Sequence, residues 1–332
     1  MFALLNAALM GFWSGRGRTL VVMAFGLGTA VLNVGLNVVL IHGLWGCPRL
    51  GIVGAAYGTV LAEAAGLAVA LAVIFASSHR QRFGTWPSRC LVPAHLASLV
   101  RFGLPAGLHF VLDMLAFNLF VLMLGRLPPT GGANLHEATN LALSVHPVAF
   151  MPMLGLGQGA AILVGQAMGA GDPAQARRAV ASCRTWCLLY MAVLGLLIGL
   201  APDLFLSWFE RAGDPGQAAT FAVARKLLIF VASWLFFDGL WIVSMSALQG
   251  AGDTRFCMRF GVILAWAGFV LPCAIAWWLG ASIWVFWSLL VAYVVVGALI
   301  FAARFRSPAW EALSVIGPEA AVPPPPEEKA VV

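Results

Sequence analysis

Runs of about 20 or more apolar residues recur along the whole of this 332-residue chain, and no other feature narrows its fold so far. Each run is long enough to cross a hydrocarbon core about 30 Å thick. Inside lipid every backbone N–H and C=O must be paired within the protein, so such runs fold as helices. They lack the alternating segments of about ten residues that a membrane β-barrel needs. Composition agrees: 61% of the residues are hydrophobic and 10% are charged, against about 25% charged in a soluble domain. The expected fold class is an all-α polytopic membrane protein.

Spans are predicted at 20–42, 52–76, 99–125, 138–168, 178–208, 219–249, 256–279 and 281–304, with a half-length apolar run at 1–14. Pro147, Pro152 and Pro272 are expected to interrupt two of these helices, a break tolerated where a helix bends around a cavity. The net charge of +6 would point to nucleic acid in a soluble protein. Here it reads as loops facing anionic lipid, and no nucleic-acid partner is expected. If the run 1–14 ends in the cytoplasm and the spans alternate, the inner side holds thirteen arginines (16, 18, 80, 82, 89, 101, 177, 178, 184, 255, 259, 304 and 306). The outer side holds Arg49, Arg126, Arg211, Arg225 and Lys226. That bias places the C-terminus inside. The six cysteines (47, 90, 183, 187, 257 and 273) form no CxxC pair and read as small packing residues. The tail 307–332, with four consecutive prolines, is expected to be disordered.

Two span ends resemble each other. Gly15, Gly17 and Thr19 recur as Gly250, Gly252 and Thr254, each set followed by two apolar spans. Such repeats relate the two halves of many transporters. With the second copy starting near Arg101, the same offset predicts a first copy that starts about 130 residues ahead of Met1.

Pro152-x-x-Gly-Leu-Gly-Gln158, Leu163-Val-Gly-Gln-Ala-Met-Gly-Ala-Gly-Asp172, Ala247-Leu-Gln-Gly-Ala-Gly-Asp-Thr254 and Asn33-x3-Asn37 with Gly51 to Thr59 together resemble the multidrug and toxic compound extrusion (MATE) family. The resemblance runs over the whole chain in family order. It implies two six-helix lobes arranged as an inverted V around a central cavity, with this chain running from the end of the fourth helix to the twelfth. On that reading 1–78 is the remainder of the first lobe, 79–98 an inter-lobe loop in the cytoplasm, and 99–306 a complete second lobe. The glycine pairs 54/58, 103/107, 155/159 and 165/169 read as small residues one turn apart that let helices approach closely in lipid. Asp172 reads as the N-cap ahead of Pro173.

Glu63, Asp113 and Asp238 are the acids deep in apolar runs. A charge at the bilayer centre costs at least about 2.5–3.5 kcal/mol, so each marks either a site or an acid hydrogen-bonded between helices. The resemblance assigns Asp113 and Asp238 to the second lobe's coupling-cation site, with Asp113 standing where the family commonly has Glu. His109, four residues before Asp113, shares its helix face and is either part of that cluster or a core histidine. In the first lobe Asn33, Asn37 and Thr59 occupy the positions of a second cation site, and Asn37 replaces a common acid. Without a carboxylate these amides hold a bare cation weakly. Glu63 either compensates or makes an inter-helical hydrogen bond. Phe150, Met151, Met153, Trp234, Phe236, Phe237 and Trp241 crowd the helices read as surrounding Asp238. They either line a cavity for lipophilic cations, which aromatic faces and Met hold, or pack.

The function implied by the resemblance is a cation-coupled antiporter, driven by H⁺ or Na⁺, that exports small organic cations across the inner cell membrane. It is expected to be a monomer in the lipid bilayer, with no cofactor and no metal centre. Two alternatives are a flippase of lipid-linked or amphipathic molecules, and a fragment inactive by itself. A membrane enzyme is disfavoured, because no HExxH, GxSxG or phosphate-binding loop occurs.

Overall fold

In a computed structural model, residues 1–76, 93–128, 133–209 and 215–313 are described. The chain is all-helical in architecture. In order come α1 (Phe2–Gly15), α2 (Thr19–His42), α3 (Ile52–Phe75), α4 (Pro93–Gly125), α5 (Leu135–Gly169), α6 (Pro173–Leu200), the short α7 (Pro202–Leu206), α8 (Pro215–Gly250), α9 (Thr254–Ile263), α10 (Leu271–Trp278) and α11 (Ile283–Arg306). A π-helical stretch, Leu264–Val270, joins α9 to α10 without a break. Eight helical stretches among the described residues are long and apolar enough to cross a membrane, and they fall on the eight predicted spans. The chain forms two compact units, Met1–Leu96 and Ala97–Val332.

Several predicted details change. Pro147 and Pro152 do not break α5, which runs unbroken from Leu135 to Gly169. Proline lacks the N–H that would pair with the carbonyl four residues back. For Pro152 that carbonyl is Val148, and the Tyr190 hydroxyl of α6 donates to it at 2.9 Å. Ahead of Pro272 the helix widens into the π turn instead of stopping. The span read as 178–208 ends at Leu200, because Ala201 leaves helical geometry before Pro202.

The sequence repeat is visible in the backbone. After α1, Arg18 N–H closes on Trp13 O at 3.0 Å and Gly17 N–H on Ser14 O at 3.0 Å. After α8, Asp253 N–H closes on Leu248 O at 2.9 Å and Gly252 N–H on Gln249 O at 3.0 Å. Gly17 and Gly252 take φ values of 72° and 88°, a region open to Gly at little cost. The same turn follows α5, where Asp172 then caps α6 by accepting from Gln175 N–H at 2.8 Å.

Lipid supplies no hydrophobic force between helices, so close backbone approach and shape decide packing. Gly54 and Gly58 lie tightly against α2: a Cβ at Gly54 would sit 2.6 Å from Leu40 O. Of the other predicted pairs, only Gly165 has a neighbour where its Cβ would go, Gly250 O on α8 at 3.5 Å. Gly103, Gly107, Gly155, Gly159 and Gly169 have open space where a Cβ would go. The tight face of α5 is instead the one carrying Gly157 and Ala161, where a Cβ at Gly157 would sit 2.8 and 2.9 Å from Ile242 and Ser246 and Gly250 lies on the Ala161 backbone.

Residues 307–313 correct the reading of a tail disordered from 307. Trp310 is fully buried, stacks on Phe305 with ring centroids 4.8 Å apart, and donates from Nε1 to Phe305 O at 2.8 Å. Arg177 Nε on α6 meets Glu311 Oε1 at 2.6 Å. Nearby, Arg304 Nε meets Asp253 Oδ2 at 2.9 Å. Residues 314–332, positions 79–92 of the predicted loop 79–98 with Arg80, Arg82, Arg89 and Cys90, and Arg211 lie outside the described residues, and α4 already begins at Pro93 inside that predicted loop. Cys47, Cys183, Cys187, Cys257 and Cys273 are free thiols.

Candidate functional site

Asp113 on α4 and Asp238 on α8 line one cavity of about 300 Å³ inside the second unit. Its walls are mostly apolar and aromatic, with Phe117, Phe150, Met151, Trp234 and Phe269 among them. Phe269 belongs to the π-helical stretch, and widened turns of this kind frequently sit at functional sites.

Each carboxylate has its own partner from a different helix. The Tyr293 hydroxyl on α11 donates to Asp113 Oδ1 at 2.6 Å. His146 Nε2 on α5 lies 3.2 Å from Asp238 Oδ2. Both partners also line the cavity. Aromatic packing fixes them: Tyr293 stacks on Phe269 at 4.8 Å and meets Trp241 edge-on at 5.0 Å. His146 is flanked by Phe150 at 5.5 Å and Trp234 at 6.0 Å, and Trp234 stacks in turn on Trp287 at 5.5 Å. A lipophilic cation held here would meet two acids and several π faces.

The sequence reading missed His146 and Tyr293 and included His109. His109 is not among the residues that line this cavity. It is buried, its ring fills the space beside Gly261 on α9, and its Nε2 makes no hydrogen bond. Helix periodicity puts it on the face of Asp113, but one turn of rise carries it to a different neighbour. Of the residues predicted to line the cavity, Phe150, Met151 and Trp234 do. Met153 is fully buried behind Gly239, Trp241 packs behind Tyr293, and Phe237 rests against the core beside Phe236. A signal for the missed pair was present: Tyr293 is one of three tyrosines in the chain, set in its most apolar span.

The first unit has its own cavity, about 410 Å³, lined by Asn6, Thr29, Asn33 and Glu63 among others. Asn6 Nδ2 donates to Glu63 Oε2 at 2.7 Å and to its backbone O at 2.9 Å. Glu63 therefore makes the inter-helical hydrogen bond that was one of its two readings. Asn37 Nδ2 donates to Asn33 Oδ1 at 2.9 Å along α2, while Thr59 turns back onto Ala55 O of its own helix. Asn33 and Asn37 are thus brought together and Thr59 is not. No group of three or more His, Cys, Asp or Glu side chains that can hold a metal ion occurs among the described residues.

Comparison with known proteins places this geometry. The sequence model of the MatE family matches residues 105–275, a stretch that holds Asp113, His146 and Asp238. The multidrug resistance protein NorM of Burkholderia vietnamiensis is 34% identical over 307 residues, covering 91% of this chain and 64% of its own length. A probable multidrug resistance protein NorM of Pseudomonas putida is 31% identical over 292 residues, 85% of this chain and 61% of its own length. This chain therefore spans a little under two thirds of these curated relatives. A crystal structure of a MATE protein in complex with MaL6 aligns over 92% of this chain and 66% of its own, with a TM-score of 0.79 at 17% identity. A MOP superfamily transporter from Pyrococcus furiosus aligns over 91% of this chain and 65% of its own, with a TM-score of 0.78 at 18% identity. Eight membrane-length helices, the repeated glycine turns and the family match lead to one conclusion: the chain is a multi-pass membrane protein of the MATE family.

Proposed function

We propose that the chain belongs to a cation-coupled antiporter that exports organic cations and drugs across the inner cell membrane, and that its second unit binds them. The observation that carries this reading is the pair Asp113 and Asp238 on one apolar, aromatic cavity of about 300 Å³. Ionised acids in such a setting are costly unless a cation or a donor meets them. The NorM relatives named as multidrug resistance proteins support the export of drugs. An apolar cavity that carries two carboxylates also suits organic cations better than the phosphate groups that a flippase of lipid-linked substrates would handle.

In this reading the first unit is the remainder of one lobe and the second unit is the other lobe, with the C-terminus cytoplasmic. One orientation feature supports it: Arg177 at the start of α6 and Arg304 and Arg306 at the end of α11 gather at one end of the second unit. Purified chain in lipid nanodiscs, titrated with tetraphenylphosphonium as a lipophilic-cation probe, tests the site. Asp113→Asn and Asp238→Asn are each expected to weaken binding about tenfold or more, since each removes a charge that meets the cation in a largely apolar cavity. Wild-type affinity in both variants would remove the acids from the site.

A further inference from the structure

We propose that His146 is the proton-carrying residue of this cavity: its protonated ring occupies Asp238 in place of a substrate cation, so that binding there is an exchange against H⁺ and not against Na⁺. The inference rests on the reading of the cavity as an organic-cation site and assigns its coupling ion.

The two partners differ in their chemistry. Tyr293 offers Asp113 a neutral hydroxyl. His146 offers Asp238 a ring nitrogen that is a hydrogen-bond partner when neutral and a counter-cation when protonated. A charge-assisted N–H···O pair closes to about 2.7–2.9 Å. The His146–Asp238 separation of 3.2 Å is longer, so the contact has room to tighten when the ring takes up a proton. Both side chains also retain access to the cavity, with 25% and 16% of their surfaces exposed.

Facing His146 are Asp238 from α8, then Asp113 from α4 and Tyr293 from α11 across the cavity. A second imidazole, His109 on α4, lies within electrostatic reach of Asp113. From α6 comes Cys187, whose thiol lies against Gly239, and Tyr190, whose hydroxyl is committed to Val148 O. Among the described residues no Lys or Arg lines the cavity. With the ring neutral, the two acids leave two negative charges facing the cavity. With the ring protonated, one remains and Asp238 is paired. A monovalent lipophilic cation then reaches Asp238 only as His146 gives its proton to water, one proton released for each cation bound. Sodium is poorly served here. Hard cations take several oxygen ligands, whereas Asp238 Oδ2 already faces a ring nitrogen and Asp113 Oδ1 a phenol.

The test uses purified full chain in nanodiscs, with tetraphenylphosphonium binding followed between pH about 5 and about 8, where histidines titrate. Wild type is expected to lose affinity on acidification, by up to about tenfold per pH unit, the limit for linkage to one proton. It is also expected to release protons on binding in weakly buffered solution, and to be insensitive to NaCl against choline chloride at fixed pH. His146→Gln keeps a nitrogen donor for Asp238 but carries no proton, so its pH slope and its proton release are expected to vanish. His136→Gln, at the far end of α5, keeps both and controls for histidine removal. A pH slope or proton release that survives in His146→Gln overturns the inference, as does competition by Na⁺ in wild type. Absence of tetraphenylphosphonium binding in wild type at every pH overturns the cavity reading itself, and the inference with it.

Discussion

Gly297→Ala is a one-carbon change that tests how the site is braced. Gly297 lies in the middle of α11, where replacing Gly by Ala ordinarily stabilises a helix by about 0.5–1 kcal/mol. Here a Cβ would run into Cζ3, Cε3 and Cη2 of Trp241, all atoms of the indole's six-membered ring. Trp241 is buried and wedged between Tyr293 and Phe301, at 5.0 and 5.6 Å, so it has little room to retreat. Overpacking of this kind costs about 1–3 kcal/mol. If the ring pushes Tyr293 off Asp113, the lost hydrogen bond to a charged group adds about 1.5–3 kcal/mol. The clash offsets the helix gain for a net loss of up to about 2.5 kcal/mol, or about 1.5–5.5 kcal/mol where Tyr293 is displaced as well. Thermal unfolding of the purified chain in detergent micelles measures it, and a loss of tetraphenylphosphonium affinity reports whether Tyr293 has moved. Trp241→Phe removes the atoms in the collision, so the double variant is expected to lose less than the sum of the two single losses. A Gly297→Ala chain that melts at or above wild type, or losses that simply add, would refute the reasoning.

Further expectations concern single contacts. Tyr293→Phe removes the donor to Asp113 and is expected to weaken tetraphenylphosphonium binding about tenfold or more, read by the same titration. Trp310→Ala empties a fully buried site and is expected to cost about 3–5 kcal/mol in a thermal melt. Glu311→Gln breaks a partly exposed pair with Arg177 and is expected to cost under about 1 kcal/mol. Gly250→Leu drives a branched side chain into the Ala161 backbone and is expected to abolish recovery of folded chain, measured by size-exclusion chromatography of the solubilised protein.

The spans were legible because hydropathy and length are properties of a segment by itself: all eight predicted runs appear, with ends moved by a few residues except at Leu200. The glycine turns were legible for a similar reason, since a φ near +70° to +90° at Gly17, Gly171 and Gly252 is a local demand. What packs against what was not. The spacing of Gly155 and Gly159 is as good a small-residue motif as any, yet α8 approaches the neighbouring face that carries Gly157. Asp113 and Asp238 stood out because a charge in an apolar run is conspicuous. His146 and Tyr293 did not, since neither carries an obligatory charge and their partners lie 92 and 180 residues away. His109 entered the reading through its i, i+4 relation to Asp113, the one relation a linear scan can see.

The two acid-bearing cavities differ in the chemistry of the donor that meets the acid, and this separates their roles. In the first unit Glu63 is held by Asn6, an amide that donates but takes up no proton at physiological pH. In the second, Asp238 is held by an imidazole that does both. The first arrangement suits a fixed inter-helical tie between α1 and α3, the second an exchangeable one. If so, the tie responds to loss of the donor far more than to loss of the charge. Glu63→Gln keeps an oxygen for Asn6 Nδ2 and is expected to cost under about 1 kcal/mol, the scale of a neutral hydrogen bond. Asn6→Leu leaves the acid in an apolar span without its donor and is expected to cost about 2.5 kcal/mol or more. Paired thermal melts of the purified chain rank the two variants. If Glu63→Gln proves the more damaging, the charge itself matters in the first unit, and the assignment of Glu63 to structure fails.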